Sequence, residues 1–409
     1  MKFNLVFVIY SCILGLVVGV IASLFLIAVN AMIHLTWTTI PETVDSNWYP
    51  LWIGLMGGVW IGLFQKYVGD YPKTMHETLH EFQETGRVTY DGAVTKNFSA
   101  ALIVLTCGAS LGPEAALVSI LGGLITWVGD RMTWTIQKKE QFLELGIGAM
   151  LATIFYAPFV GVSEAIEEGI AERRFQSKLT KALLYAITTA CGILAFTLLN
   201  QLVPRTSVFG ISTPQVAWTR EVLYFLFPAI IIGACFGSLF LLFGRLTDSI
   251  ARNYPSPLGL AISAGLLIGL FGRWSPYFLF SGEHEILAFS KEALDQSLIF
   301  LILLALGKAL LTNICFSFGW RGGKIFPAIF SSTAIGFAVA TLFPYTPGLL
   351  VAVAVAASCT VILKQPFVTS TLLLFLFPLQ FFPFILLVAL LIKQILLRIE
   401  GKGSSVDSH

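Results

Sequence analysis

Four places in the sequence set ionisable side chains where they could do chemistry. The first is Gly108-Ala109-Ser110-Leu111-Gly112-Pro113-Glu114-Ala115-Ala116, leading into the apolar run Leu117–Leu124. Proline suits the first turn of a helix, and glycines let a second backbone come close. Glu114 then falls at a helix start, where free N–H groups and the helix dipole attract negative charge. Such a carboxylate either caps its own helix or occupies an anion site for which an ion can compete. An ionisable group is costly beside a broken apolar segment, which favours the second reading.

The second place is Gly319-Trp320-Arg321-Gly322-Gly323-Lys324-Ile325-Phe326-Pro327. Glycines again free the backbone ahead of a helix, but Arg321 and Lys324 near that start oppose the dipole. They raise the potential felt by an anion, pair with Glu114, or snorkel to an interface. The third is Ala157-Pro158 followed by Val162-Ser163-Glu164-Ala165-Ile166-Glu167-Glu168. Helical spacing puts Glu164 on one face with Glu167 and Glu168, a crowding that favours proton uptake near neutral pH if the group is desolvated. A solvated helix end balanced by Arg173 and Arg174 is the plainer alternative. The fourth is His76-Glu77-Thr78-Leu79-His80, which matches the H-E-x-x-H zinc-protease signature. Two imidazoles one turn apart can chelate zinc while the glutamate serves as general base. Its flanks, Tyr71–Gly86, are polar, and Glu81 and Glu84 stand too near to supply a third ligand.

The elements that must position these residues are apolar helices. Of 409 residues 56% are hydrophobic and 12% charged, with 25 basic against 23 acidic side chains and a net charge of +2. The mean hydropathy is +0.83. Soluble chains carry about 25% charged residues, so disorder, a cytosolic enzyme and a nucleic-acid-binding domain all fit poorly. Leu5–Val29 is too long for the core of a cleaved signal and reads as a first spanning helix. Leu183–Leu199, Val222–Phe243, Leu298–Leu311 and Phe377–Ile392 approach or reach bilayer-spanning length. Ala115–Val128, Gly146–Val162, Phe326–Leu342 and Pro366–Phe377 are shorter and broken by glycine or proline. Short segments must be tilted or half-membrane helices buried among neighbours, a pattern typical of transporters. The six cysteines lie scattered in apolar runs and suit packing rather than a disulfide frame or metal knuckle.

Pro158-Phe159-Val160 returns as Pro366-Phe367-Val368, an offset of 366 − 158 = 208 residues, and the two glycine-rich helix starts repeat at nearly the same offset. The expectation is two membrane repeats, 1–205 and 206–402, with a polar tail at 403–409. Basic clusters at Arg173, Arg174, Lys178 and Lys181, and at Lys393, Arg398 and Lys402, put the C-terminus on the cytoplasmic side of a multi-pass cell-membrane protein.

These motifs, in this order, resemble the CLC family of chloride channels and proton-coupled chloride transporters. Gly112–Ala116 keeps the first glycine and the glutamate of that family's gate motif, glycine-basic-glutamate-glycine-proline. Cys315-Phe316-Ser317-Phe318-Gly319, then Gly322-Gly323 and Pro327, follows its second filter motif without a gap. Ala157-Pro158 through Glu167-Glu168 follows the helix bearing its inner proton glutamate, and Lys364-Gln365-Pro366 resembles the matching turn of the second half. The likeness spans roughly residues 70–380.

The resemblance implies an all-α fold of two inverted repeats of tilted and broken helices, acting as a homodimer with one pathway per subunit and needing no cofactor. It makes Glu114 the external gate, which mimics the anion and carries the proton, and Glu168 the inner proton-transfer group. Backbone around Gly112, Pro113, Gly323, Lys324, Ile325 and Phe326 would line the anion site, although Ile325 stands where the family usually has phenylalanine. The serine-bearing filter loop falls on Lys73 and Thr74, 114 − 73 = 41 residues before Glu114, and lacks the glycine-serine-glycine phrase. No tyrosine follows Tyr345 to take the place of the family's inner anion ligand. The expected function is thus transport of a small inorganic anion, chloride or similar, coupled to proton antiport. A fluoride exporter, a passive channel, and a transport-dead protein with Lys73 or Lys324 locking Glu114 in a salt bridge are the alternatives within this fold. A zinc metalloprotease using His76, Glu77 and His80 is the alternative outside it.

Overall fold

The computed structural model describes residues 5–406 except 45, 133, 135, 161–162, 164–177, 202–209, 214–220 and 344–345. The described chain is helical from end to end. Its principal helices are α1 (Leu5–His34), α2 (Tyr49–Tyr67), α3 (Met75–Thr85), α4 (Ala93–Thr106), α5 (Glu114–Arg131), α6 (Ile136–Ile154) and α7 (Lys178–Asn200). They continue as α8 (Glu221–Asn253), α9 (Pro257–Trp274), α10 (Leu298–Cys315), α11 (Ile325–Leu342), α12 (Pro347–Leu363), α13 (Pro366–Leu374) and α14 (Phe382–Val406). Among the described residues, seven helical stretches are long and apolar enough to cross a membrane. The first joins α1 to the turn that follows it, and runs from Phe7 to Val44. This is an all-α, multi-pass membrane protein.

Two compact units emerge from the packing. One comprises Met1–Thr206, Leu246–Gly282 and Leu311–Pro327; the other Ser207–Arg245, Glu283–Leu310 and Ala328–His409. Two stretches from the second half of the sequence thus belong to the first unit, the glycine-rich loop Gly319–Lys324 among them.

Within the first unit, small residues decide how helices meet. Helix α2 lays Gly54 and Gly58 against α9, where a side-chain methyl on Gly54 would overlap the carbonyl of Gly265 and one on Gly58 would lie 2.7 Å from that of Ala261. The backbones therefore touch along two turns, the close approach that small residues permit where no hydrophobic drive separates helix from lipid. The opposite face of α2 exposes Trp52, Met56 and Trp60, as suits a lipid-facing surface. In the second unit α12 is buried on all sides from Gly348 to Val361, an Ala/Val-rich rod whose hydroxyls, Ser358 and Thr360, are hydrogen-bonded within the protein. Such a helix owes its place to surrounding packing rather than to amphipathicity.

Helix α10 does not run straight into α11. A single π turn at Phe316–Trp320 ends it, with Gly319 at φ +95°. Only glycine takes that conformation freely. The next residue but one, Arg321, also has positive φ (+45°), and four residues later α11 begins. This break creates a free helix start inside the first unit.

Candidate functional site

Two non-helical loops meet at the centre of the site. Gly112 donates its N–H to the carbonyl of Gly323 at 2.8 Å, and Gly323 donates back to Gly112 at 2.9 Å. The pair is an isolated antiparallel bridge, with no strand on either side. Ser110 and Thr312 share a hydroxyl hydrogen bond of 2.9 Å beside it, and both are fully buried. Two loops that would otherwise strand their backbone groups in an apolar interior thus satisfy one another.

Immediately after the first loop α5 begins with Glu114, and immediately after the second α11 begins with Ile325. The Glu114 side chain does not reach out to solvent: it is 4% exposed. Its Oε1 accepts the Ile325 N–H at 3.0 Å, so the carboxylate sits on the electropositive start of the other helix. A methyl built on Gly112 or on Gly323 would overlap the Glu114 carboxyl. Glycine at both positions therefore makes the space that the carboxyl fills. Pro113, with φ −76° and ψ −13°, turns the chain from Gly112 into α5. Phe326 stacks on Phe155 with ring centroids 4.1 Å apart and planes 16° apart, fixing the first turn of α11 against α6.

The lysines and arginine of the site are each engaged. Lys324 donates to Asn313 Oδ1 at 3.0 Å, and its ammonium lies 3.7 Å from the Phe316 ring centroid, a cation–π contact. Arg321 donates from one guanidinium nitrogen to both carboxylate oxygens of Glu77 at 2.9 Å and stands 3.4 Å from Asp70. It thereby ties the second loop to the start of α3. Lys73 pairs with Glu81 at 2.9 Å, donates its backbone N–H to Asn97 at 2.8 Å and accepts from Ser119 Oγ at 3.1 Å. Thr74 spends its hydroxyl on the α3 N-terminus, where it accepts from the Glu77 N–H while Glu77 reaches back to the Thr74 N–H. That is a capping box. Lys73 and Thr74 are brought to the α3 start, and their side-chain atoms are occupied there.

The same box accounts for the H-E-x-x-H pattern. Glu77 serves the α3 N-terminus and Arg321, while His76 and His80 are exposed and His80 stands 3.5 Å from Glu84. Burial works to raise the Glu77 pKa, but the Thr74 backbone N–H and the Arg321 guanidinium outweigh it and hold the carboxyl below its ordinary range. A general base held ionised by an arginine and by its own helix start is poorly placed to take a proton from zinc-bound water. Among the described residues no group of three His, Cys, Asp or Glu is placed to hold a metal ion.

Glu164, Glu167 and Glu168, and Tyr345 in the second half, lie outside the described residues. The arrangement also includes Asn313, which the sequence reading passed over. Its signal was present, since a lone amide inside the apolar run Leu298–Leu311 and its continuation needs a polar partner.

Free helix starts, a buried carboxylate and spanning helices together define a membrane transporter or channel for anions. The family model described as "Voltage gated chloride channel" matches residues 57–395. The chain belongs to that family, whose members are transporters and channels, and it is not an enzyme. A relative from Escherichia coli (strain 55989 / EAEC), named "Putative ion-transport protein YfeO", is 27% identical over 366 residues, covering 84% of this chain and 81% of its own. Its counterpart from Shigella flexneri is 26% identical over the same length. Among solved structures, a slow cyanobacterial Cl⁻/H⁺ antiporter superposes with a TM-score of 0.76 at 20% identity, covering 97% of this chain and 96% of that one. A CLC-type fluoride/proton antiporter superposes with a TM-score of 0.74 at 18% identity, covering 96% and 97%. At these identities the solved structures show the shared fold.

Proposed function

We propose that this protein exchanges a small inorganic anion for protons across the cell membrane, with Glu114 as its gate. One observation carries the reading: a buried carboxylate accepts the first N–H of α11 at 3.0 Å, in a space kept open by Gly112 and Gly323. A carboxylate in that position presents the charge and oxygen lone pairs that a halide would present. Ionised, Glu114 competes with the anion for the same N–H groups. Protonated, it loses its attraction for the helix start and leaves the place to the ion. Gating and proton uptake are then one event.

Gly112, Pro113, Gly323, Lys324, Ile325 and Phe326 form the anion-binding backbone in this scheme, with Lys324 adding positive potential. Glu168 relays the proton toward the cytoplasmic face, where the C-terminus also lies. Lys73 and Thr74 shape the approach through the α3 start. The working unit is a homodimer in the lipid bilayer with one pathway in each protomer.

The ion is tested by flux from proteoliposomes with chloride, fluoride, nitrate and bicarbonate, each with and without a proton gradient. Exchange predicts anion-dependent proton movement in the wild type and none in Glu114→Gln, which keeps anion flux. Undiminished proton pumping in Glu114→Gln refutes the gate. Anion flux indifferent to the pH gradient in the wild type selects a passive channel of the same fold. Fluoride above chloride selects the exporter of the same fold.

A further inference from the structure

Away from the filter, a cavity of about 300 Å³ is lined by Tyr90, Asp91, Gly92, Val94, Leu124 and Trp127. It opens where the loop ahead of α4 passes the last two turns of α5. Its chemistry is mixed in a particular way. Tyr90 and Trp127 offer aromatic faces, Val94 and Leu124 apolar contact, and Asp91 a carboxylate. Arg131 lays its guanidinium over the Trp127 ring, 4.0 Å from the centroid. The neighbouring Asp130 is taken by Lys139, whereas Asp91 is exposed and forms no ion pair among the described residues. A side-chain methyl on Gly92 would meet no atom within 4 Å.

An acid beside two aromatic rings suits a compact ammonium, bound by charge and by the ring quadrupoles. The Arg131 guanidinium, stacked on the Trp127 ring that lines the cavity, suits a phosphate. One small group carries both an ammonium and a phosphate, the head of an ethanolamine phospholipid. Depth agrees. Trp127 stands 127 − 114 = 13 residues beyond Glu114 in one continuous helix, which is about 20 Å at about 1.5 Å per residue. For tilts up to about 40°, a gate near the bilayer midplane then puts Trp127 about 15–20 Å from it, at or just outside a hydrocarbon half-thickness of about 15 Å, the headgroup level where tryptophan and tyrosine concentrate. This last step rests on the gate reading above.

We propose that this cavity is a phospholipid headgroup site, with Asp91, Tyr90 and Trp127 receiving the ammonium of phosphatidylethanolamine and Arg131 its phosphate. The apolar Val94 and Leu124 continue toward the acyl chains. Lipid held there braces the α4 start against α5, the helix whose first residue is the gate.

The test is native mass spectrometry of the full-length, delipidated protein with phosphatidylethanolamine or phosphatidylglycerol added. The expected result is at least fivefold higher occupancy by phosphatidylethanolamine, falling at least fivefold in Asp91→Asn. Arg131→Gln, a second variant at a helix end, weakens both lipids because it removes the phosphate contact. Equal binding of the two lipids, preference for phosphatidylglycerol, or an unaltered Asp91→Asn overturns the proposal. Lipid adducts are counted without any flux, so their absence leaves the gate reading standing. Failure of Glu114→Gln to uncouple protons leaves the adducts unchanged.

Discussion

Gly112 and Gly323 exchange both of their backbone hydrogen bonds, at 2.8 and 2.9 Å, across 211 residues of sequence. The pair holds two helix starts side by side, and the carboxyl of Glu114 fills the space that neither glycine occupies. Much of the protein's behaviour follows from that single bridge.

The space itself is testable. Gly323 has no positive φ, so alanine fits its backbone, and the three atoms nearest the added methyl all belong to the Glu114 side chain. Gly323→Ala is expected to push Glu114 out of its seat and to make anion flux at least severalfold less sensitive to pH. Proteoliposome flux between pH 5 and 8 reads this. Wild-type pH dependence in Gly323→Ala would show that the carboxyl does not gate.

Lys324 raises the potential of the α11 start while tethered to Asn313 and Phe316. Lys324→Met keeps the stem and removes the charge. Anion affinity, measured by calorimetry, is expected to weaken about fivefold to tenfold, equivalent to about 1–1.4 kcal/mol. Asn313→Leu is expected to weaken it less, since the ammonium stays but loses its anchor. Unaltered affinity in Lys324→Met would assign the lysine to packing.

The Arg321–Glu77 pair clamps the loop ahead of α11 to α3. Glu77 has a depressed pKa, with the burial penalty outweighed by Thr74 and Arg321, and so has Glu81, where Thr89 and Lys73 outweigh burial. Groups shifted downward contribute stability that is complete above their ordinary value of 4.5 and is lost as pH falls through the lower folded value. The melting temperature in detergent is therefore expected to hold from pH 8 to about 5 and to drop below that. Arg321→Gln should cost about 1 kcal/mol or less at neutral pH, because Glu77 is partly exposed. It should also flatten the acid limb. An acid limb identical in Arg321→Gln and wild type counts against the clamp.

Helix α2 meets α9 backbone to backbone at Gly54, where a methyl would overlap the Gly265 carbonyl. Backbone cannot move aside as the end of a side chain can. Gly54→Leu is expected to destabilise by about 3 kcal/mol or more, above the usual range for overpacking. Thermal melting and the yield of monodisperse protein check it, with the exposed Met56→Leu as control. A Gly54→Leu protein as stable as wild type would mean the two helices do not touch there.

Composition alone marked the protein as a membrane bundle, because burying charge in lipid is costly and only 12% of its residues are charged. Glycine and proline punctuation located the helix starts at Glu114 and Ile325, since the residues that break and begin helices are few and their reasons local. The segments 326–342 and 115–128 read as short and broken. In the structure α11 and α5 run 18 residues each, because burial on nearly every side supplies the stability that their glycines remove. H-E-x-x-H misled for a related reason. The same glutamate serves a capping box, T-x-x-E, when the threonine two places before the first histidine caps the helix.

By itself the sequence determined what kind of solvent the protein lives in, where its helices begin, and which carboxylate stands at a helix start. Those are properties of near neighbours in the chain, set by side-chain transfer energies and by the backbone limits of glycine and proline. Only the tertiary structure decided partners: Glu114 with Ile325, Arg321 with Glu77, Lys73 with Glu81, Lys324 with Asn313. A charge can be satisfied by any opposite charge or amide that folding brings within about 3 Å, and sequence order does not rank those candidates. Two of the four pairs lie within 11 residues along the chain, yet Arg321–Glu77 spans 244 residues and Glu114–Ile325 spans 211. Its geometry exists only because two glycines let two loops close on each other.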